Sequence, residues 1–475
     1  MAFSSVIFLA YFFPVVFILY YLLHNKVKNG FLLIASILFY MWGAPKFIFA
    51  ILITTVVDFF LVNTLDKTTT DKKRKLFLIL SLSLNVGMLF YFKYCNFFVD
   101  NANAVLGMFT SKQINWTAIV LPIGISFYTF ESLTYVIDVY RRVHKPLRNF
   151  WDYQLYIILF PKLIAGPIIR YHEISDQIKG RIGKENIDDV LTGFFRFVIG
   201  LSKKVIIANT MAVVADSVFK SNLHELNTPM AWLGMLAYTF QIYFDFSGYS
   251  DMAIGMGKML GFKFPENFDN PYTSLSITEF WRKWHITLGA WMKNYLYIPL
   301  GGNKVNAKWK LFFNLWLVFV LSGLWHGAAW TFVIWGIYHG LLLIVERLFL
   351  LKVYSKLPKV IPLIITFLFV AIGWVFFRAE NFSDAIIFIK KLIGFKFNIN
   401  YFFLENDFKV YFVAAFIFSF FTLFSFGKKI QQKIYFSNYT TLGYTVATIT
   451  SITLFYFCLA SISSSTFNPF IYFRF

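Results

Sequence analysis

Two histidines in this chain stand in segments framed by tryptophan. His285 closes residues 281–285 (WRKWH), and His326 lies within residues 324–330 (LWHGAAW). Imidazole titrates near neutral pH, so a histidine held in such a setting can act as a general base on a hydroxyl nucleophile. The sequence therefore offers two candidates for proton transfer.

His326 is the stronger of the two candidates. It lies in the apolar run 311–350, whose only formally charged members are Glu346 and Arg347. An ionisable side chain at bilayer depth is costly, so it usually faces a protein interior or a water-filled cavity and often has a function there. We predict that His326 is a general base. A packed histidine bonded to a carbonyl is the alternative.

His285 has a simpler alternative interpretation. It follows Arg282 and Lys283, and such mixtures of basic and aromatic residues are also typical of an anchor at the headgroup level. A functional role is favoured by the nearby turn 295–303 (YLYIPLGGN), which can bring basic and amide groups to a phosphate-bearing ligand.

A third set of polar residues interrupts an apolar segment at 243–251 (YFDFSGYSD). Asp245 and Tyr249 are spaced i,i+4, as are Ser247 and Asp251, so on a helix the two pairs face different ways. These residues can line a substrate path. Hydrogen bonds between neighbouring helices are the alternative explanation.

The sequence predicts no metal site and no disulfide framework. His326 and His339 lie about 220° apart around one straight helix, so they would not share a face. There is no HExxH motif, and the two cysteines, Cys95 and Cys458, are too few for a CxxC site or a disulfide framework.

Composition places the chain in the membrane. Of its 475 residues, 58% are hydrophobic and only 14% are charged. Apolar runs near twenty residues long fit helices that cross a hydrocarbon core of about 30 Å. We predict an all-α polytopic protein with about 11–13 spanning or re-entrant helices around a central tunnel. The predicted spans are 5–23, 30–42, 46–65, 76–92, 118–140, 153–169, 190–219, 230–260, 311–330, 331–350, 361–377, 410–426 and 442–460.

The net charge of +20 comes largely from short loops between apolar runs, such as 67–75 and 141–148. This is the pattern of the positive-inside rule, and it predicts a multi-pass membrane protein with its N-terminus outside. Membrane lipids are then its surroundings. No solvated basic groove is evident, so we expect no nucleic-acid partner.

No linker divides the chain, so we predict one membrane-embedded domain over residues 1–475, with a catalytic core at about 118–350. Between 166 and 306 the polar, glycine and proline content rises. Irregular backbone at membrane depth needs cover from protein or a cavity. We expect this region to surround the site.

Several segments resemble the membrane-bound O-acyltransferase family. The most specific are the Trp-His-Gly-Ala-Ala-Trp segment at 325–330 and the Leu-Tyr-Ile-Pro-Leu-Gly-Gly-Asn turn at 296–303. Stretches at 160–170, 243–255, 262–272, 374–379 and 470–475 extend the likeness over most of the chain. More narrowly, they resemble the bacterial branch that includes the membrane subunit of alginate O-acetylation.

The resemblance implies that His326 is the catalytic histidine and His285 the second histidine of the active region. It implies acyl transfer from a thioester, with acetyl-CoA as donor, to a polysaccharide acceptor outside the cytoplasm. It also implies a separate extracytoplasmic acetyltransferase of the SGNH type as partner. No bound cofactor is expected.

These observations and the resemblance together give one hypothesis, in which His326 is the base and His285 orients the donor or shapes the tunnel. Trp325 and Trp330 would exclude water, because hydrolysis of the thioester competes with transfer. The residues expected to bind substrate or line the tunnel are Trp325, Trp330, Asp245, Tyr249 and Asn294.

Three alternatives stay open at this point. One is transfer of D-alanyl or another acyl group to a cell-envelope polymer. Another is a non-catalytic transporter or flippase, whose broken helices would bind a substrate without altering it. The third is a scaffold that recruits the soluble partner.

Overall fold

The computed structural model describes residues 1–397, 405–464 and 470–471, and within these ranges the regular structure is entirely helical. The principal helices, numbered in chain order, are α1 Phe8–Leu22, α2 Lys28–Gly43, α3 Ile48–Lys67, α4 Asp71–Leu106, α5 Ile125–Tyr140, α6 Phe150–Ile158, α7 Phe160–Leu163, α8 Tyr171–Ile174, α9 Gln177–Gly180, α10 Ile187–Phe219, α11 Thr228–Met259, α12 Ile277–Lys283, α13 Ile286–Trp291, α14 Lys308–His326, α15 Trp330–Tyr354, α16 Val360–Arg378, α17 Phe382–Leu392, α18 Asn406–Leu423, α19 Ser425–Tyr435 and α20 Thr441–Ser464.

In the described part of the chain, seven helices are long and apolar enough to cross a membrane: α3, α4, α10, α15, α16, α18 and α20. Each overlaps a predicted span, which confirms the all-α polytopic class. Other predicted spans correspond to shorter or broken helices. Residues 153–169, for example, divide into α6 and α7 at Leu159, just before Pro161, which lacks the N–H that a continuing helix needs.

The chain divides into two compact units, and the first comprises Met1–Val190 and Met256–Pro265. In this unit α3, α4 and α5 pack against one another. A buried ion pair joins Lys162 to Glu131, whose side chains are 0% and 2% exposed. Burying either charge alone would be strongly unfavourable, so the pair must form together.

The second unit comprises Leu191–Gly255 and Glu266–Phe475, and it contains both tryptophan-framed histidines. Its residues 266–276 form no α-helix and include only the short 3-10 turn Pro271–Thr273. This is irregular backbone of the kind predicted between 166 and 306. The prediction of a single acyltransferase domain over the whole chain stays a prediction.

Helices α14 and α15 form a tightly packed hairpin in the second unit. A Cβ atom added at Gly323 would lie 2.3 Å from the Phe332 carbonyl oxygen, and one at Gly336 would lie 2.4 Å from the Phe319 oxygen. The missing side chains therefore let the two backbones approach closely, as small residues do between membrane helices. This contact holds the last turn of α14 in place.

Candidate active site

A cavity of about 470 Å³ in the second unit brings the two tryptophan-framed histidines together. His285 and His326 both line it. Its wall also carries polar and cationic side chains, which are Arg282, Lys293, Tyr297, Asn303 and Arg347. The sequence separates these groups by up to sixty-odd positions, and the fold places them around one space.

His326 is the last residue of α14, where the chain leaves the helix at the extended Gly327. Its imidazole is 6% exposed. Ring centroids of Trp325, Trp335 and Phe377 lie 4.9, 5.1 and 5.2 Å from that of His326. The histidine is thus enclosed by aromatic rings on several sides, and it also lines the cavity.

The break between α14 and α15 also corrects the prediction that His326 and His339 lie on one straight helix. The two residues do not share one straight helix, because α14 ends at His326 and α15 begins at Trp330. His339 also lies 5.1 Å from the ring of Trp335. Even so, over the residues that the structure describes, no group of three or more histidine, cysteine, aspartate or glutamate residues is placed to hold a metal ion.

His285 lies between α12 and α13 in the left-handed region, with φ of 46°. A residue other than glycine in this conformation is strained by about 1–3 kcal/mol and needs support from its surroundings. The support comes from Asn267, whose carbonyl oxygen accepts from the Ile286 amide at 2.9 Å. The side chain of Asn267 adds a second bond, 3.0 Å from its Oδ1 to His285 Nδ1.

The contacts of Asn267 determine which ring nitrogen of His285 carries the hydrogen. Asn267 Nδ2 donates to Ser250 Oγ at 3.0 Å, and Thr287 Oγ donates to Asn267 Oδ1 at 2.9 Å. Since Oδ1 is the acceptor, His285 Nδ1 must donate to it and Nε2 carries the lone pair. Nε2 is buried and has no hydrogen-bond partner among the described atoms. Burial lowers the pKa of His285 to about 3, so the ring is neutral near pH 7.

Helix α12, which leads to His285, is held at its N-terminus by a buried glutamate. Glu346 of α15 is fully buried, and its carboxylate accepts from the amides of Ile277 and Thr278. A carboxylate is favourable there because it satisfies N–H groups that have no partner inside the helix. The next residue, Arg347, lines the cavity.

The predicted turn 295–303 forms part of the cavity wall. Tyr297 donates its hydroxyl hydrogen to Asn303 Oδ1 at 2.7 Å, and Arg347 donates to the same oxygen at 3.3 Å. Asn314 of α14 donates to the Leu300 carbonyl at 3.0 Å and ties the turn to the hairpin. Basic and amide groups therefore gather at one part of the cavity.

The other predicted site residues lie in different places. Trp325 is 4% exposed and its ring lies 6.2 Å from that of His285 as well as beside His326. Trp330, in contrast, is 56% exposed at the start of α15. Asn294 is partly buried in the π-helical turn Met292–Tyr297, outside the set that lines the cavity.

Asp245 and Tyr249 face the C-terminal segment. Asp245 pairs with Lys204 at 2.6 Å and accepts from the amide of Ile471 at 2.7 Å. The ring of Tyr249 stacks on Phe470 at 4.6 Å. These contacts fit the alternative in which the polar residues join helices. Residues 472–475, the rest of the C-terminal stretch that resembles the family, lie outside the described residues.

The second i,i+4 pair, Ser247 and Asp251, lines a larger cavity of about 860 Å³ in the same unit. Asp251 there bonds Arg196 at 2.9 Å and Lys203 at 2.6 Å. Asn267 also lines this larger cavity, whereas its partner His285 lines the smaller one. The hydrogen bond between them therefore joins the walls of two cavities.

Sequence reasoning missed Asn267 and gave no role to Glu346 and Arg347. The last two were visible as the only charges in a long apolar run, which is itself a signal of function. Asn267 offered no such signal, because it lies in irregular chain and its importance depends on contacts with distant residues.

Comparison with known proteins shows the family to which the chain belongs. The model of the membrane-bound O-acyltransferase family matches residues 73–382. A probable alginate O-acetylase AlgI of Pseudomonas aeruginosa is 46% identical over 388 residues, covering 81% of this chain and 73% of that protein. The peptidoglycan O-acetyltransferase of Helicobacter pylori is 38% identical over 425 residues, covering 82% and 80%.

A teichoic acid D-alanyltransferase of Bacillus subtilis is 31% identical over 278 residues, which cover 55% of this chain and 69% of that protein. The family match spans more than half of the chain and includes both histidine segments. The predicted resemblance is confirmed: the chain belongs to the membrane-bound O-acyltransferase family and is a multi-pass membrane enzyme that transfers acyl groups to oxygen.

Proposed function

We propose that this enzyme takes an acetyl group from acetyl-CoA at the cytoplasmic side of the inner membrane and delivers it for O-acetylation of a polysaccharide outside. The observation that carries the proposal is the cavity lined by two histidines and a set of cationic side chains. The names of the alginate and peptidoglycan relatives support acetyl as the acyl group and a glycan as the acceptor.

The cationic side of the cavity suits a phosphate-bearing donor. Arg282, Lys293 and Arg347 all line it, and Tyr297 and Asn303 add hydrogen-bonding groups. Coenzyme A carries several phosphate charges, which arginine and lysine attract. The cavity volume of about 470 Å³ lies within the usual range of about 300–1,000 Å³ for small-molecule sites.

In the proposed reaction His326 accepts the proton of the acceptor hydroxyl, either of the glycan or of an intermediate carrier. The hydroxyl oxygen bonds to the thioester carbonyl carbon, the carbon–sulfur bond breaks, and the imidazolium returns its proton to the departing thiolate. The aromatic rings of Trp325, Trp335 and Phe377 around His326 limit access of water. Water exclusion favours transfer over hydrolysis.

His285 has a role that follows from its proton arrangement. Its Nδ1 hydrogen is used by Asn267, so only the Nε2 lone pair is available to a substrate. A neutral acceptor of this kind can bind an amide N–H of the donor and orient the thioester. We assign His285 this positioning role and His326 the transfer of the proton.

The acceptor side requires a second protein in this proposal, an extracytoplasmic acetyltransferase of the SGNH type that passes the group to the polysaccharide. D-alanyl transfer to a cell-envelope polymer is the second candidate, favoured only by the identity to the teichoic acid D-alanyltransferase. The two candidates differ in the acyl donor, so they can be separated directly.

The test uses the full chain in lipid nanodiscs together with its extracytoplasmic partner and acceptor glycan. Labelled acetyl-CoA should label the glycan with release of free CoA, and a labelled D-alanyl donor should not. Label from the D-alanyl donor alone would assign the second candidate. Absence of CoA release while cells still acetylate the glycan would contradict both the donor and the reaction.

A variant pair connects this test to the cavity. Arg347→Gln removes a cation that lines the cavity and should raise the KM for acetyl-CoA several-fold, because a charge-assisted contact to phosphate is lost. Lys352→Gln makes the same charge change at an exposed position outside the cavity and should leave KM unchanged. Equal KM values for both variants would show that the donor does not bind at this cavity.

A further inference from the structure

Two basic segments that are far apart in sequence meet at one cavity in the first unit. The cavity has a volume of about 620 Å³ and lies where α3 and α5 end and α4 begins. Its cationic lining comes from the 67–75 segment through Arg74 and from the 141–148 segment through Arg142 and Lys145. The positive-inside pattern explains why both segments are positively charged, but it does not explain why they line the same cavity.

The positive charge of this cavity is not neutralised by its own acidic residue. Asp66 is the carboxylate in the lining, and Arg148 pairs with it at 2.8 Å. Arg74 is 4% exposed, and its guanidinium donates to the carbonyl oxygens of Leu65 at 3.1 Å and Tyr140 at 2.9 Å. These acceptors are carbonyl oxygens at the ends of α3 and α5, and they fix the guanidinium at the cavity wall without pairing it with a carboxylate.

His144 is held differently from the arginines. One ring nitrogen lies 3.0 Å from Ser175 Oγ and 3.1 Å from Asp176 Oδ1, and the other lies 2.9 Å from the Lys145 carbonyl oxygen. It therefore shapes the cavity wall. Arg142 and Lys145 are exposed and are the cations free to meet a ligand from solvent or from the membrane surface.

The position of the cavity points to a lipid. α3 and α4 are both long and apolar enough to span a membrane, and the cavity lies at the turn between them. The ends of spanning helices lie at the level of the lipid headgroups. Val139 and Val143 place apolar side chains in the same lining, and Val143 is 56% exposed. A ligand with a phosphate beside an apolar body matches this lining better than a free ion does.

We propose that this cavity is a binding site for the phosphate-bearing headgroup of an anionic phospholipid. Basic clusters at the cytoplasmic ends of membrane helices attract anionic lipids. The buried Arg74 gives the site a fixed charge, and Arg142 and Lys145 close over the phosphate from the exposed side.

The test measures binding of fluorescent phosphatidylglycerol to the purified full chain in neutral detergent. The double variant Arg142→Gln/Lys145→Gln should bind it about ten-fold or more weakly, because two attractive charges are removed. Lys356→Gln/Lys359→Gln removes two exposed lysines outside the cavity and should weaken binding much less. Arg74 is left intact because it satisfies the ends of two helices.

Three results would overturn the proposal. They are equal binding by the double variant and the wild type, equal binding of phosphatidylcholine and phosphatidylglycerol, and displacement of the lipid by inorganic phosphate at matched concentration. The last result would assign the cavity to free phosphate. The proposal is supported only when the lipid requires both its negative headgroup and the two cations.

Discussion

At the scale of single residues, the most informative contact is the hydrogen bond between Asn267 and His285. It fixes one tautomer, compensates the strained backbone at His285 and leaves Nε2 as a lone-pair acceptor. Asn267 is held in this position by Thr287, which donates to its Oδ1, and by Ser250, which accepts from its Nδ2. The proposed division of roles between the two histidines depends on this arrangement.

His285→Asn separates the two functions of the histidine. Asparagine tolerates the left-handed conformation and can keep a donor near the position of Nδ1, but it has no group at the position of Nε2. We expect expression and melting temperature near those of the wild type, with acyl transfer reduced about 100-fold. Unchanged transfer, measured as CoA release in membranes at matched protein level, would show that Nε2 has no part in the reaction.

Asn267→Asp tests the electrostatic environment of His285 through pH. In the wild type, burial lowers the pKa of His285 to about 3, so the ring stays neutral down to that pH. An aspartate at 267 would favour the charged imidazolium and raise this pKa by about 1–3 units or more. Activity of the variant should therefore fall on acidification at a higher pH than activity of the wild type.

The pH–rate profile of kcat/KM measures this shift, and Asn267→Ala provides the comparison without a new charge. The alanine variant should lower the rate without moving the acidic limb. If the aspartate and alanine variants had superimposable profiles, the contact between residue 267 and His285 would not act on the titration of the ring.

At the scale of helices, the α14–α15 hairpin positions His326. Gly336→Ala should lower the melting temperature in detergent, because the new methyl group would lie 2.4 Å from the Phe319 carbonyl oxygen. Overpacking of this kind costs about 1–3 kcal/mol. Gly87→Ala is the matched control. It also lies in a helix, but its added Cβ meets nothing within 4 Å. A Gly336→Ala protein as stable as the control would contradict the close packing of the hairpin.

The positions of the spanning helices were the feature that the sequence predicted best. Long apolar runs predicted each of the seven candidate spans, since length and hydropathy are local properties. Breaks were harder to predict. The end of α14 at His326 is set by the extended Gly327 and by packing of the hairpin, which no local pattern reveals.

The candidate site shows the same limit. The two histidines were found because tryptophans and apolar runs frame them, and the cavity does bring them together. Asn267 was missed because its role arises from a contact across 18 positions of chain. Asp245 and Tyr249 looked functional in sequence, yet they contact the C-terminal segment at residues 470–471.

At the scale of the whole molecule, charge and hydropathy describe a basic membrane enzyme. The net charge of +20 lies largely in the connections between spans, where it attracts anions. Coenzyme A and anionic lipids are both such anions. The proposed donor cavity lies in the second unit and the proposed lipid cavity in the first, and the two cavities have no lining residue in common.

In the proposed reaction, His326 transfers the proton. The most direct measurement compares CoA release and glycan acetylation by wild type, His326→Gln and the exposed-site control His224→Gln, in membranes at matched protein level. We predict a loss of about 100- to 10,000-fold for His326→Gln, the usual contribution of a general base, and no loss for His224→Gln. Undiminished transfer by His326→Gln would show that His326 does not transfer the proton.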